Sequence, residues 1–125
     1  MEKIKIAIAD DYKVFRDGLA AILAITPDME LICEAENGIT LLENIKKELP
    51  DIILMDYKMP EMDGAEATRQ IKTTYPSVRV IILSMYQDEL FTRRFMESGA
   101  DAVLLKDADQ ADILATIRRL CFTAG

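Results

Sequence analysis

Histidine is absent from the whole sequence of 125 residues. Its absence excludes the Ser-His-Asp and Cys-His mechanisms, the HExxH metalloproteases and the proteins that carry phosphate on histidine. Any chemistry performed by this chain therefore depends on carboxylates, hydroxyl groups, lysine or a bound metal ion.

Long apolar runs, cysteines and basic clusters are also scarce. No run of about 18 apolar residues offers a membrane span, and the N-terminus lacks the features of a signal peptide, so we expect a cytoplasmic protein without membrane contact. The two cysteines, Cys33 and Cys121, are far apart and predicted to be buried free thiols. With a net charge of −7 and arginine doublets only at residues 93–94 and 118–119, the chain alone is not expected to bind DNA tightly.

Half of the residues are apolar, which is enough for one globular domain over residues 1–125. Strand-like apolar runs alternate with helical periodicity, which predicts an α/β fold with a parallel sheet covered by helices on both faces. The second strand is more polar and is expected at an edge. The predicted strands are 3–9, 31–36, 52–55, 79–85 and 101–105, and the predicted helices are 13–25, 38–49, 64–75, 88–98 and 110–122.

In the stretch PDIILMDYKMPEMDG, residues 50–64, the apolar residues of a predicted buried strand are followed directly by Asp56. Parallel sheets of this kind bind ligands outside the carboxyl ends of their strands. The first, fourth and fifth predicted strands also end in polar side chains at this edge. The second strand ends in EAEN, which suggests no site residue. The polar residues at these strand ends are Asp10, Asp11, Asp56, Ser84 and Lys106.

Three carboxylates at one edge would repel each other, by roughly 3 kcal/mol for two charges about 5 Å apart at an effective dielectric near 20. Either one is protonated or a cation lies among them, and hard oxygen ligands suit Mg²⁺. A metal ion, an ammonium group and a hydroxyl donor together match the needs of a phosphoryl group in transfer. Asp56 is then predicted to be a nucleophile that forms an acyl phosphate.

Each of these residues also has an ordinary structural interpretation. Asp10 or Asp11 could cap the first helix, and Asp56 could open the following turn. Ser84 could be a simple strand-end hydroxyl, and Lys106 could face solvent. Their joint occurrence at strand ends of one five-strand pattern favours the functional interpretation.

The sequence resembles the receiver domain of bacterial two-component response regulators over essentially its full length. The resemblance is carried by ADD (residues 9–11), DIILMDYKMPEMDG (51–64), IILSM (81–85) and ESGADAVLLKD (97–107). It implies the CheY-like, flavodoxin-like fold: a doubly wound five-stranded parallel sheet in the order 2-1-3-4-5, with five helices.

The same resemblance implies a role for each site residue. Asp56 would accept phosphate from a sensor histidine kinase, and Ser84 and Lys106 would contact the phosphoryl oxygens. Mg²⁺ would be held by Asp10, Asp11, Asp56 and the main-chain carbonyl of Lys58. The domain would be a signalling phosphoacceptor, not a turnover enzyme, that assists its own phosphorylation and dephosphorylation.

Two segments suggest a subtype. LSMYQDE after the fourth strand, and LLKDA near the fifth, resemble receivers that precede LuxR-type helix-turn-helix domains. The expected function is transcription regulation through a C-terminal DNA-binding domain absent from this chain, with dimerisation on phosphorylation. A stand-alone receiver that acts through protein contacts is the alternative.

One position departs from many receivers, which carry an aromatic residue three positions before the lysine. Here that residue is Val103, which cannot make the inward swing of a ring. We therefore expect the signal to travel through main-chain movement of residues 84–89 and the next helix, with Tyr86 as a candidate reporter.

Proteins of other classes share parts of this pattern. A flavodoxin-like cofactor binder would need a glycine- and hydroxyl-rich phosphate loop where this chain has ADDYKV. A haloacid-dehalogenase-type phosphatase would need a DxD motif on its first strand, which is absent. A degenerate receiver that works without phosphorylation is disfavoured because every site residue type is present.

Overall fold

The computed structural model describes residues 2–85 and 88–122. Within them, five strands alternate with five helices, as the sequence predicts. The strands are β1 (Ile4–Ala9), β2 (Met29–Ala35), β3 (Ile52–Asp56), β4 (Arg79–Ser84) and β5 (Ala102–Leu105). The helices are α1 (Lys13–Ala24), α2 (Gly38–Ile45), α3 (Gly64–Thr74), α4 (Glu89–Glu97) and α5 (Gln110–Phe122).

All four strand pairings are parallel, and the strand order is β2-β1-β3-β4-β5. The predicted order and the edge position of β2 are therefore confirmed. Every residue of β3, the central strand, is buried, whereas the edge strand β5 is only partly buried along its length. Burial on both sides explains why β3 is a continuous apolar run.

The core lies in two layers, one on each face of the sheet. Ile53 and Met55 face the layer that holds Phe95 of α4, while Ile52 and Leu54 face the layer that holds Ile117 of α5. Each fully buried side chain of this size contributes roughly 1.5–3 kcal/mol. The two layers hold β3 rigidly, and its last residue is Asp56.

The largest difference from the predicted elements is at the end of α2. This helix ends at Ile45, four residues before the predicted end, and the NH groups of Lys47 and Glu48 both turn back to the carbonyl of Asn44. Leu49, the last residue of the predicted helix, is 42% exposed. Pro50 keeps Leu49 out of the helix, because a residue that precedes proline avoids the helical conformation.

The helix ends show standard capping chemistry. The side chains of Asn37, Asp63 and Asp88 accept main-chain hydrogen bonds at the starts of α2, α3 and α4. Gly99 follows α4 with φ +109°, the left-handed region that favours glycine. The helix predicted over residues 88–98 therefore ends within one residue of its predicted end.

Cys33 and Cys121 are free thiols, and both are half-buried, less than the sequence suggested. Burial raises the pKa of Cys121 to about 11, so this thiol stays protonated at neutral pH. Across the described ranges, no helix combines the length and the apolar character that crossing a membrane requires.

Candidate functional site

The sheet register brings the predicted site residues to one edge. Ala9 lies beside Met55 in the ladder, so Asp10 and Asp56 follow on neighbouring strands. Asp56 pairs with Leu83, which precedes Ser84, and Ser84 pairs with Leu105, which precedes Lys106. The predicted convergence of Asp10, Asp56, Ser84 and Lys106 is confirmed.

Asp10, Asp11 and Asp56 form an acidic cluster. One carboxylate oxygen from each lies within 4.8 Å of the others. Asp10 and Asp56 are buried, with 1% and 6% of their surface exposed, whereas Asp11 faces solvent. Three converging carboxylates of which two are buried form an unusually concentrated negative charge.

Lys106 is the cation of this cluster. Its Nζ lies 2.8 Å from Oδ2 of Asp10 and 3.4 Å from Oδ2 of Asp56. Burial by itself would lower the pKa of Lys106, but its contacts with the two carboxylates outweigh burial and raise that pKa. The alternative that Lys106 merely faces solvent is therefore wrong.

The pKa of Asp56 is raised to about 6. Burial is the largest cause, and the charge of Asp10 adds to it, while Lys106 acts in the opposite direction. The protein alone thus disfavours the ionised form of Asp56, and an added cation would favour that form.

Neither Asp10 nor Asp11 caps α1 in the usual way. The residue at the cap position is Tyr12, and no side chain caps this helix. Oδ1 of Asp10 accepts a hydrogen bond from the NH of Tyr12 at 2.8 Å, which leaves Oδ2 to face Lys106. The simple capping interpretation does not account for the position of Oδ2.

The acidic cluster fits a divalent cation. Oδ2 of Asp10 is fully buried and, although close to Lys106, makes no well-aligned hydrogen bond. Lys106 supplies one positive charge against three carboxylates, so a net negative charge remains that a further cation would offset. The donors are all hard oxygens, the ligands that Mg²⁺ prefers. Asp10, Asp11 and Asp56 could each supply one.

Lys58 and Ser84 complete the predicted set. Lys58 is exposed and lies two residues past Asp56, in the connection between β3 and α3. The role predicted for its carbonyl stays a prediction. Ser84 is 1% exposed at the end of β4, and its carbonyl accepts a hydrogen bond from the NH of Lys106 at 2.8 Å.

The connection after Asp56 is tightly built. The NH of Gly64 donates to the carbonyl of Tyr57 at 2.7 Å, and Glu61 adopts a positive φ of 70°. A Cβ on Gly64 would lie 2.4 Å from the carbonyl oxygen of Asp56. The start of α3 therefore packs directly against the main chain of Asp56.

Two residues of α1 at the site were missed by sequence reasoning. The ring of Phe15 lies 4.6 Å from Nζ of Lys106, and Arg16 donates a hydrogen bond to the carbonyl of Asp10. No local signal in the sequence points to either contact, because both partners belong to other elements.

Val103, the predicted departure, lies on β5 and packs against the core layer that contains Tyr57, Phe91 and Phe95. The ring of Tyr57 makes edge-to-face contacts with Phe91 and Phe95, at centroid distances of 5.6 and 4.8 Å. Tyr86, the predicted reporter of switching, lies outside the described residues.

The fold and the site define a class of protein, and comparison with known families agrees. The family model described as "Response regulator receiver domain" matches residues 6–118. The chain belongs to this family of signalling domains.

Among its relatives is the transcriptional regulatory protein DegU of Brevibacillus brevis, 39% identical over 93% of this chain and 49% of the relative. The transcriptional regulatory protein LnrK of Bacillus subtilis is 38% identical over 91% of this chain and 52% of the relative. The chain thus spans about half the length of these relatives. DegU is a response regulator of the LuxR family, the subtype that the sequence suggested.

A solved structure supports the same assignment. The signal receiver domain of the putative response regulator NarL from Mycobacterium tuberculosis superimposes with a TM-score of 0.93 at 30% identity, covering 98% of this chain and 99% of that one. Receiver domains of this family are phosphorylated on aspartate and bind Mg²⁺ in an acidic pocket.

Proposed function

We propose that this domain accepts a phosphoryl group on Asp56 from a sensor histidine kinase. The supporting observation is the geometry around Asp56, a buried carboxylate 3.4 Å from Nζ of Lys106 and within 4.8 Å of Asp10 and Asp11. A carboxylate oxygen of Asp56 attacks phosphorus, the P–N bond of the donor phosphohistidine breaks, and an acyl phosphate forms.

Each neighbouring group has a part in this transfer. The ammonium of Lys106 binds one phosphoryl oxygen and the hydroxyl of Ser84 donates a hydrogen bond to another. Asp10, Asp11, Asp56 and the carbonyl of Lys58 would hold Mg²⁺, which when bound would neutralise charge on the phosphoryl group. The same groups would assist hydrolysis of the acyl phosphate, so the domain switches itself off without acting as a turnover enzyme.

The wider role is regulation of transcription. The relatives named as transcriptional regulatory proteins are about twice as long as this chain. We therefore assign residues 1–125 to a receiver unit whose phosphorylation favours dimerisation and acts on an attached DNA-binding domain. We assign this unit to the cytoplasm. Promoter binding by the full-length native protein, with and without phosphorylation, tests this role.

Intact-mass measurement tests the acceptor directly. With acetyl phosphate and Mg²⁺ the protein should gain one phosphoryl group, and a chelator should abolish the gain. Asp56→Asn should gain none. Asp51→Asn is the matched control, because Asp51 precedes the opposite end of the same strand and its side chain binds the NH of Lys5. Equal labelling of Asp56→Asn and wild type would refute the assignment.

A further inference from the structure

Arg16, on the first turn of α1, joins three elements of the structure next to the acidic cluster. Its Nη1 donates to the carbonyl oxygen of Asp10 at 2.6 Å, and its Nε donates to Oε1 of Glu34 on β2 at 3.2 Å. The side chain is only 15% exposed. The guanidinium group is rigid and presents donors in a fixed fork, so it fixes both acceptors relative to α1.

The carbonyl that Arg16 binds belongs to the peptide unit linking Asp10 to Asp11. This unit follows the last residue of β1, where the sheet no longer holds the chain on both sides. The NH of Asp10 still bonds to the carbonyl of Ala35 at 2.9 Å. Arg16 therefore supplies the partner on the carbonyl side and fixes the plane of a peptide from which two carboxylates extend.

We propose that Arg16 is a positioning residue for the divalent cation site. By fixing the peptide between Asp10 and Asp11, it directs both carboxylates toward Asp56. Glu34 supports this arrangement because it accepts the second hydrogen bond of the guanidinium. The inference rests on the proposed function, in which Asp10 and Asp11 bind Mg²⁺.

Charge and geometry predict opposite effects at this position. Arg16 carries a positive charge, so removing it should strengthen cation binding if the residue acts only through its charge. If Arg16 acts by positioning, its removal should weaken binding, since partners that orient metal ligands typically contribute 10–100-fold to affinity. The sign of the change therefore separates the two roles.

The test is a Mg²⁺ titration followed by amide chemical shifts, with wild type, Arg16→Met and Arg16→Lys. We expect Arg16→Met to bind about 10-fold more weakly than wild type. Arg16→Lys keeps the charge but cannot contact both acceptors with the same fork, so its affinity should fall between the two. Stronger binding by Arg16→Met, or wild-type affinity in both variants, would overturn the inference.

Arg118→Met is the matched control. Arg118 also links a helix to the region of β2, through two hydrogen bonds to Asp28 at 2.8 and 3.0 Å. Asp28 immediately precedes β2, so this ion pair lies at the end of the sheet opposite the site. Its loss should leave Mg²⁺ affinity unchanged. An equal weakening in Arg118→Met would assign the effect to general loosening and refute a local role.

Two further measurements keep the outcomes distinct. Urea denaturation and the amide spectrum report whether each variant is folded. If Arg16→Met does not fold, Arg16→Lys decides between weaker and unchanged binding. Failure of the wild-type protein to bind Mg²⁺ would instead refute the proposed function.

Discussion

At the scale of single residues, Asp56 is the clearest conflict between stability and function. It ends a strand that is buried throughout, and its carboxylate has a pKa raised to about 6 by burial and by the charge of Asp10. A group whose pKa is higher in the folded state binds its proton more tightly there. Ionised Asp56 therefore destabilises the metal-free fold.

This linkage predicts a pH dependence of stability. Below pH 3.8 the carboxyl of Asp56 is protonated in both the folded and the unfolded protein. Between pH 3.8 and about 6 it loses its proton in the unfolded chain first, so the free energy of unfolding falls as the pH rises. In the presence of a chelator, Asp56→Asn should match wild type near pH 4 and exceed its free energy of unfolding by up to about 3 kcal/mol above pH 6. Urea denaturation across this range measures the difference.

Saturating Mg²⁺ provides the control for this experiment. A bound cation stabilises the ionised carboxylate, so the advantage of Asp56→Asn above pH 6 should shrink. A constant difference between the two proteins at all pH values would show that Asp56 does not titrate as described.

At the scale of elements, the connection between β3 and α3 requires a glycine at position 64. The Cα of Gly64 lies so close to Asp56 that a Cβ would be 2.4 Å from the Asp56 carbonyl oxygen and 3.1 Å from the Cα of Tyr57. Both of these atoms are main-chain atoms of a buried strand and its extension, so they cannot move aside cheaply.

Gly64→Ala should therefore destabilise the protein, by about 1–3 kcal/mol, as overpacking does elsewhere. Gly18→Ala is the comparison within the same chain. A Cβ at Gly18, in the middle of α1, meets no atom within 4 Å, and alanine there should stabilise the helix by about 0.5–1 kcal/mol. Urea denaturation of both variants distinguishes them. A Gly64→Ala protein as stable as wild type would disprove the steric argument.

At the scale of the whole molecule, the site is linked to α4 by an aromatic cluster. Tyr57, the residue after Asp56, contacts Phe91 and Phe95 through its ring, and its NH donates to the carbonyl of Leu83 at 3.2 Å. Phe95 is fully buried. The residue beside the proposed acceptor thus contacts β4 through its main chain and α4 through its ring, whereas Val103 has no ring.

We predict that a phosphoryl mimic changes amide hydrogen exchange mainly in residues 84–98. Beryllofluoride with Mg²⁺ should produce this pattern in wild type, because Ser84 moves toward the mimic and α4 follows. Tyr57→Leu should weaken the response in α4. Tyr75→Leu is the control, because Tyr75 packs against the same core layer but at the C-terminal end of α3. Uptake of the mimic with no change in residues 84–98 would show that this route is wrong.

The sequence predicted the fold and the site of this protein to different extents. Apolar periodicity determined the five strands, the five helices and the edge position of β2, because burial on one or both faces leaves a direct pattern in the chain. It also placed Asp10, Asp56, Ser84 and Lys106 together, because parallel strands end at a common edge. The early end of α2 was missed, although Pro50 was a local signal for it.

Tertiary structure decided the environment of those residues. Arg16 reaches Asp10 and Glu34, and Lys106 lies over Phe15, only because α1 packs across the end of the sheet. Likewise, the burial that raises the pKa of Asp56 comes from neighbouring elements. A sequence determines which side chains are apolar or charged and at which strand ends they occur. Distances and desolvation depend on partners far apart along the chain, and those are set only when the helices pack on the sheet.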